Sequence, residues 1–306
     1  MIKWGWQNDK QRYFCNNCGK LLTTASRKKS IARQISWFKK WVYDKRTLKS
    51  LSAESKKSIS VLRRLFSEFL SKPPTYRIKK NSNCHLIIDG TNYGDDCILN
   101  YFDNDLKYLQ SGNIVNRENY DNYVVDLKLL KQSGLNMDSI TSDGQKGLIK
   151  AINEVFPNVV HQRCIIHIQR MSKIYLTRNP KTDAGITLLY WVKKLHEIET
   201  PEQRDKWIGQ FEGWQRKYRD FLMEKSESPS GRKWYTHKML RRIRSLIKNA
   251  LPNMFHYLDN SDIPKSTNGL EAKFSHFKLN LNIHRGLSKK SRKNFILWYY
   301  YFKYNK

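Results

Sequence analysis

The alternation of apolar and polar positions changes period several times along the chain, and each change marks an element. Over residues 30–70 apolar residues recur at helical spacing, with Ile31, Ile35, Phe38, Trp41 and Val42 forming one stripe. Thr47 to Ala53 predicts a short second helix and Ser58 to Leu70 a third. In that third helix Ile59, Leu62, Leu65, Phe66 and Phe69 share a face, set against the basic Lys56, Lys57, Arg63 and Arg64. Lys72-Pro73-Pro74 stops the helical pattern, because proline lacks an N–H and disfavours helix in the residue before it. The polar stretch up to Asn83 then predicts a linker.

From Cys84 the period shortens. His85 to Gly90, Cys97 to Phe102 and Leu106 to Val115 predict three strands, the last two divided by the turn residues Asp103-Asn104-Asp105. Asn119 to Gln132 predicts a helix, Met137 to Thr141 a strand, Gln145 to Phe156 a helix ended by Pro157, and Val159 to Arg163 a strand leading into a helix from Cys164. This order of elements implies a mixed sheet with helices on its faces, an α/β architecture. Residues 171–260 read as almost wholly helical, with Trp191, Trp207, Trp214 and Trp234 among them and a loop over Ser226 to Gly231. Ser266 or Thr267 is placed to cap a last helix carrying Glu271.

Charge changes the picture. The 306 residues hold 57 Lys+Arg against 27 Asp+Glu, a formal net charge of +30, and such an excess points to polyanions, nucleic acid above all. The excess is uneven. Residues 1–80 carry 21 basic and 4 acidic residues, 81–170 carry 8 and 11, and 171–306 carry 28 and 12. Two basic flanks therefore enclose a middle of net −3. Such a middle either holds carboxylates for chemistry or is a buried sheet domain with few surface lysines. The longest apolar run, Phe295 to Phe302, falls far short of the roughly 20 residues that span a bilayer, so no membrane partner is expected. The N-terminus lacks the apolar core of a signal peptide. Five cysteines make a disulfide scaffold improbable, and the expected compartment is the cytoplasm, close to the nucleoid.

Three acidic residues stand where chemistry on phosphate would need them. Asp89 ends the first strand of the mixed sheet in IIDGT, Asp143 follows the fourth in ITSDG, and Glu271 opens the late helix in STNGLE. Carboxylates this close raise one another's pKa, and a divalent cation relieves the repulsion. Mg²⁺ suits such oxygen ligands, and two ions can hold the attacking and the leaving oxygen of an in-line phosphoryl transfer. The alternative for each residue is a turn aspartate or a glutamate favoured by the helix dipole. Near the N-terminus Cys15 and Cys18 form a C-x-x-C knuckle, half of the four ligands of a structural zinc. At the other end Arg285, Lys289, Lys290 and Arg292 accompany an aromatic cluster that is either a core face or a stacking surface for bases.

IIDGTNYG, ITSDGQKGLIKAINEVFPNVVHQRCIIHIQRM with its C-x-x-H pair Cys164 and His167, and STNGLEAKFSHFK with the tail HRGLSKKSRKNFILWYYYF together resemble the DDE-type transposases of insertion sequences, in their Mutator-like branch. The resemblance covers roughly residues 84–302. It implies an RNase H-like catalytic core interrupted by an all-helical insertion, with Asp89, Asp143 and Glu271 as catalytic and metal-binding residues. It also implies two Mg²⁺ ions, for which Mn²⁺ can substitute. The implied activity is cleavage at the ends of a mobile element and attack of the freed 3′-OH on target DNA. The implied partners are double-stranded DNA, as terminal repeats and target, and further copies of the chain.

The front end resembles the zinc ribbon and helix-turn-helix that precede the catalytic domain in related bacterial transposases. Lys56, Lys57, Arg63 and Arg64 are then DNA contacts, as are the basic residues of the tail. The 14 residues before Cys15 hold no first knuckle, so Zn²⁺ binding is left open, and the reading suggests either a start codon placed late or a truncated copy. The domains expected are a partial knuckle at 1–25, a helix-turn-helix at 26–72, a linker at 73–83, the first part of the core at 84–170, the insertion at 171–263 and the rest of the core at 264–306. For Cys164 and His167 a structural role beside the active site is preferred over contact with DNA. Two other functions stay open: a DNA-binding descendant without catalysis, and an RNase H-type nuclease that cuts without joining.

Overall fold

The computed structural model describes residues 1–7, 10–268, 284 and 286–305. The chain divides into two units, one of residues 1–75 with 276–306 and one of residues 76–275.

The first unit begins with an antiparallel sheet that the spacing of apolar residues does not announce. Its strands are β1 (Ile2–Gln7), β2 (Lys10–Phe14) and β3 (Leu21–Thr23), in that order. The β2–β3 turn carries the knuckle, closed by the Gly19 amide on the Cys15 carbonyl (2.8 Å) and the Cys15 amide on the Lys20 carbonyl (3.0 Å). Three helices follow: α1 (Thr24–Val42), α2 (Leu48–Ser55) and α3 (Ile59–Leu70). Thr47 caps α2 through the Ser50 amide, and Ser58 caps α3 through the Val61 amide. Only the later part of the α1 stripe is buried. Phe38, Trp41 and Val42 enter the core with Leu51, Leu62, Phe66 and Leu70, while Ile31 and Ile35 stay exposed.

The C-terminal helix Lys289–Tyr304 completes this core. Its Phe295 ring meets Trp41 edge-on at 5.4 Å, and Phe302 meets Phe38 at 5.9 Å. The Asn294 amide donates to the Leu70 carbonyl (2.7 Å) and the Trp298 indole to the Phe69 carbonyl (3.1 Å), satisfying carbonyls at the open end of α3. The buried aromatics of the tail are thus a core face, the first of the two options the sequence leaves.

The second unit is built on a five-stranded mixed sheet of order β6-β5-β4-β7-β8. Its strands are β4 (His85–Tyr93), β5 (Asp96–Asp103), β6 (Tyr108–Val115), β7 (Ser139–Ser142) and β8 (Val160–Arg163). β4, β5 and β6 form an antiparallel meander, and β4, β7 and β8 run parallel. The crossovers are α4 (Tyr120–Gln132) and α5 (Lys146–Val155). Both pack on one face through Leu127, Leu130, Leu148 and Ile152 against Leu86, Ile88, Leu99 and Ile140. Each expected strand and helix of this region lies within three residues of its position, because the turn residues Asp103-Asn104 and the break at Pro157 bound short, strongly apolar runs.

The helical remainder runs through α6 (Ile165–Leu176), α7 (Asp183–Lys194), α8 (Pro201–Lys217), α9 (Arg219–Met223), α10 (Lys238–Ala250) and α11 (His256–Asp259). Trp207 and Trp214 stack in series with Phe211 in its core. Their indole N–H groups donate to the Trp191 and Ala184 carbonyls at 2.8 and 2.9 Å. These two tryptophans are structural. The helical pattern is broken once, by an antiparallel hairpin of β9 (Lys225–Glu227) and β10 (Lys233–Tyr235). The loop expected over Ser226 to Gly231 is its tip and first strand, and the exposed Trp234 lies on β10. Three-residue strands carry too little alternation to register as a pattern in sequence.

Candidate active site where β4 passes the end of β7

β4 and β7 lie side by side in parallel, with Ile87 opposite Thr141 and Ile88 opposite Ser142. Asp89 is the next residue of β4, in mid-strand, because β4 runs on to Tyr93 instead of ending at Gly90 as expected; Asp143 is the first residue after β7. Side chains alternate across a strand, so Asp89 falls on the face opposite α4 and α5. Asp143 leaves the end of β7 beside it. Asp89 is buried and Asp143 half-buried.

The chain turns sharply after Asp143. Asp143 Oδ1 accepts from the Gln145 amide (2.9 Å), and Gln145 Oε1 in turn caps α5 through the Leu148 amide (2.9 Å). Gly144 between them has φ +82°, and a Cβ there would lie 1.9 Å from the Arg163 guanidinium. Glycine is required on both counts. Arg163, at the end of β8, donates from Nη2 to the Asp143 carbonyl (3.2 Å). Burial pulls the Arg163 pKa down from its ordinary value, and the Asp143 carboxylate opposes that shift.

Beneath this turn Ser142 Oγ sits 2.8 Å from His161 Nε2 and accepts from the Gly144 amide (3.2 Å). Burial, then the charges of Arg163 and His256, pull the His161 pKa down to about 4. His161 is therefore a neutral imidazole at pH 7, and the hydroxyl proton of Ser142 is free to bind Nε2.

Glu118 is a carboxylate the sequence reading does not single out. It accepts from the Tyr123 hydroxyl (3.0 Å) and the Cys97 thiol (3.1 Å), and it lies over Gly90, the residue after Asp89. Burial raises both the Tyr123 and the Cys97 pKa, and Glu118 adds to each. Strand alternation puts Gly90 and Glu118 on the α4 face, away from Asp89. No spacing in the chain marks Glu118, because its place depends on the bend of the chain into α4.

The C-x-x-H pair ties a distant segment to this edge. Thr141 Oγ1 donates to the Pro264 carbonyl (2.8 Å), and the Ile165 amide donates to the Lys265 carbonyl (3.1 Å). The Thr267 amide donates to Cys164 Sγ (3.3 Å), and Thr267 Oγ1 sits 3.4 Å from His167 Nδ1. Cys164 and Thr267 are fully buried, and burial raises the Cys164 pKa, so its thiol stays protonated. Residues 264–267 are thereby held against the end of β7 and the first turn of α6. Glu271, four residues further along, lies outside the described residues, as does Arg285.

Asp89 and Asp143 offer the hard oxygen donors that Mg²⁺ takes, and one or two protein carboxylates are its usual share. Among the described residues no group of three or more metal-ligating side chains is present. Cys15 and Cys18 accordingly have no third ligand there. The Asn17 amide and Cys18 lower the Cys15 pKa, which favours the thiolate. Lys56, Lys57, Arg63 and Arg64 are exposed on and just before α3, and Lys289, Lys290 and Arg292 on the C-terminal helix. All seven belong to the first unit.

Residues 107–229 match the family model for transposases of the Mutator family. Over this stretch the chain is similar to that family. The match takes in Asp143, Arg163, Cys164 and His167, and ends beyond the β9 strand. Among individual relatives, the transposase for insertion sequence element IS256 in transposon Tn4001 from Staphylococcus aureus is 33% identical over 91 residues. That is 29% of this chain and 20% of the relative. The protein of the same title from Enterococcus faecalis matches with the same figures. The aligned segment thus spans about a fifth of these relatives' length. Among the described residues no helix is long and apolar enough to cross a membrane.

Proposed function

We propose that the protein is a DNA transposase that cuts the ends of its mobile element and joins the freed 3′-OH to target DNA. The observation that supports the reading is the register of β4 and β7, which sets Asp89 and Asp143 at neighbouring positions at the end of β7, with Asp143 inside the Mutator match. The sheet order, with an antiparallel meander beside two parallel strands, is compatible with an RNase H-like core. Residues 171–263 would then form its insertion, and the helices within residues 26–72 a helix-turn-helix with Lys56, Lys57, Arg63 and Arg64 towards DNA.

In this reading Asp89, Asp143 and Glu271 would hold Mg²⁺, whose chemistry when bound would be activation of the attacking oxygen and stabilisation of the leaving one in a phosphoryl transfer. Asp89 would supply its carboxylate from the middle of β4, and Asp143 from the turn just past the end of β7. Thr141, Cys164 and His167 hold residues 264–267, and so fix where the chain departs towards Glu271. Gly144 and Arg163 fix the backbone of Asp143. Two element ends must meet for transfer, so the active form contains more than one copy.

The test is an end-cleavage and strand-transfer assay with the purified chain, Mg²⁺ and labelled DNA bearing the repeats that flank its gene. Joined product is the expected result. Cleavage without joining favours a nuclease, and binding without cleavage favours a DNA-binding descendant.

A further inference from the structure

Beside the Asp143 turn lies a cleft of about 710 Å³, walled by α5 on one side and α10 on the other. Five cations line it: Lys146, Arg163, Lys238, Arg241 and Arg242. No carboxylate is among its lining residues, and among the described residues none of the five forms an ion pair. α10 is strongly two-sided. Leu240, Ile243, Ile247 and Ala250 are buried, while Lys238, Arg242, Ser245 and Asn249 face out.

Two features show a built site. Arg163, at the inner end, is only 4% exposed, yet its Nε has no hydrogen-bond partner. A buried cation with an unused donor is costly unless an anion completes it. Gly144 leaves the room its guanidinium occupies. Arg241 is fixed in place as well. Its guanidinium lies 3.6 Å from the Tyr235 ring centroid, and Nη1 donates to the Leu222 carbonyl (3.0 Å). A cation held this way loses little freedom on meeting a phosphate.

We propose that this cleft binds the phosphodiester backbone of the DNA strand that enters the Asp89–Asp143 edge. The inference rests on the DNA-cutting reading above and adds its strand-binding subsite. From Lys238 to Asn249 the α10 face runs about 16 Å, the axial rise of roughly five nucleotides of one strand. A face of that length, with the cations gathered at its Lys238–Arg242 end and the polar Ser245 and Asn249 further along, suits a polymer of phosphates better than a single small anion. The inner end meets the residue next to Asp143, so the strand it holds is delivered to the carboxylates. The β9–β10 hairpin gives the cleft its rim through Tyr235.

The test uses the full chain and a short fluorescein-labelled duplex in EDTA, so that binding is read without cleavage. Lys238→Gln with Arg242→Gln removes two exposed cations and is expected to weaken binding about tenfold. It should also flatten the slope of log K against log salt by roughly 1.5 to 2. A photoreactive p-benzoylphenylalanine at Ser245 should capture the labelled strand. An unchanged salt slope together with no capture at Ser245, while the protein still binds DNA, overturns the proposal. Tighter binding of RNA of the same sequence through the same cations overturns the assignment to DNA. Capture at Ser245 without cleavage in Mg²⁺ would sink the transposase reading and leave the cleft standing. Cleavage without capture would do the reverse.

Discussion

The Thr267 amide donates to Cys164 Sγ at 3.3 Å, joining residues 103 positions apart. Both are fully buried, so the thiol is the acceptor that lets the Thr267 N–H leave water. Cys164→Ala leaves that N–H unpaired and is expected to cost about 1–3 kcal/mol. Urea unfolding measures it, and Cys164→Ser, which keeps an acceptor, should recover part of the loss. A role of Cys164 in contacting DNA predicts instead lower DNA affinity at unchanged stability.

Gly144 is held at φ +82° with the Arg163 guanidinium filling the space of its absent Cβ. Gly144→Ala combines backbone strain with displacement of a buried arginine. The expected loss is roughly 1–3 kcal/mol or more, with the Asp143 turn moved. Thermal unfolding and the end-cleavage rate should fall together. A variant of unchanged stability would contradict the contact.

His161 gives the protein a pH dependence of stated sign. Its pKa is about 4 in the folded chain against about 6.5 when unfolded, so the unfolded state binds a proton first as pH falls. Stability from this group is complete above pH 6.5 and declines as pH drops through that window, levelling off below about 4. The total is on the order of 3 kcal/mol. Unfolding free energies at intervals from pH 7 to 4 measure it, and His161→Gln should flatten the profile.

The aromatic tail separates two roles cleanly. Phe295 packs in the core formed by α1, α3 and the C-terminal helix, so Phe295→Ala is expected to cost roughly 3–5 kcal/mol. Stacking on DNA bases predicts the opposite outcome, an unchanged melting temperature with weaker binding.

Most of the sheet unit is legible in the sequence, for a physical reason. Its strands are short apolar runs ended by Asp, Asn or Gly turns, and α4 and α5 keep a helical stripe with caps at Asn119 and Gln145. Asp89 and Asp143 can be picked out because each ends such a run. What cannot be read is partnership. That β4 lies beside β7 in register, and that Arg163 lies over Gly144, depends on tertiary pairing. Local pattern does not carry that information. The N-terminal sheet is hidden for another reason: β1 is exposed throughout and keeps no clean alternation. Glu118 escapes notice, and Thr267 reads only as a candidate helix cap, because the place of each is defined by what packs on it.

The most direct test of the central claim is end cleavage by Asp89→Asn and Asp143→Asn, each beside the parent chain, with DNA binding measured in EDTA. Amide replacement keeps size and removes the charge that, in the proposed function, would hold metal. The account predicts binding close to the parent's and cleavage reduced at least about a hundredfold in both variants. Cleavage at the parent's rate by Asp143→Asn would contradict it.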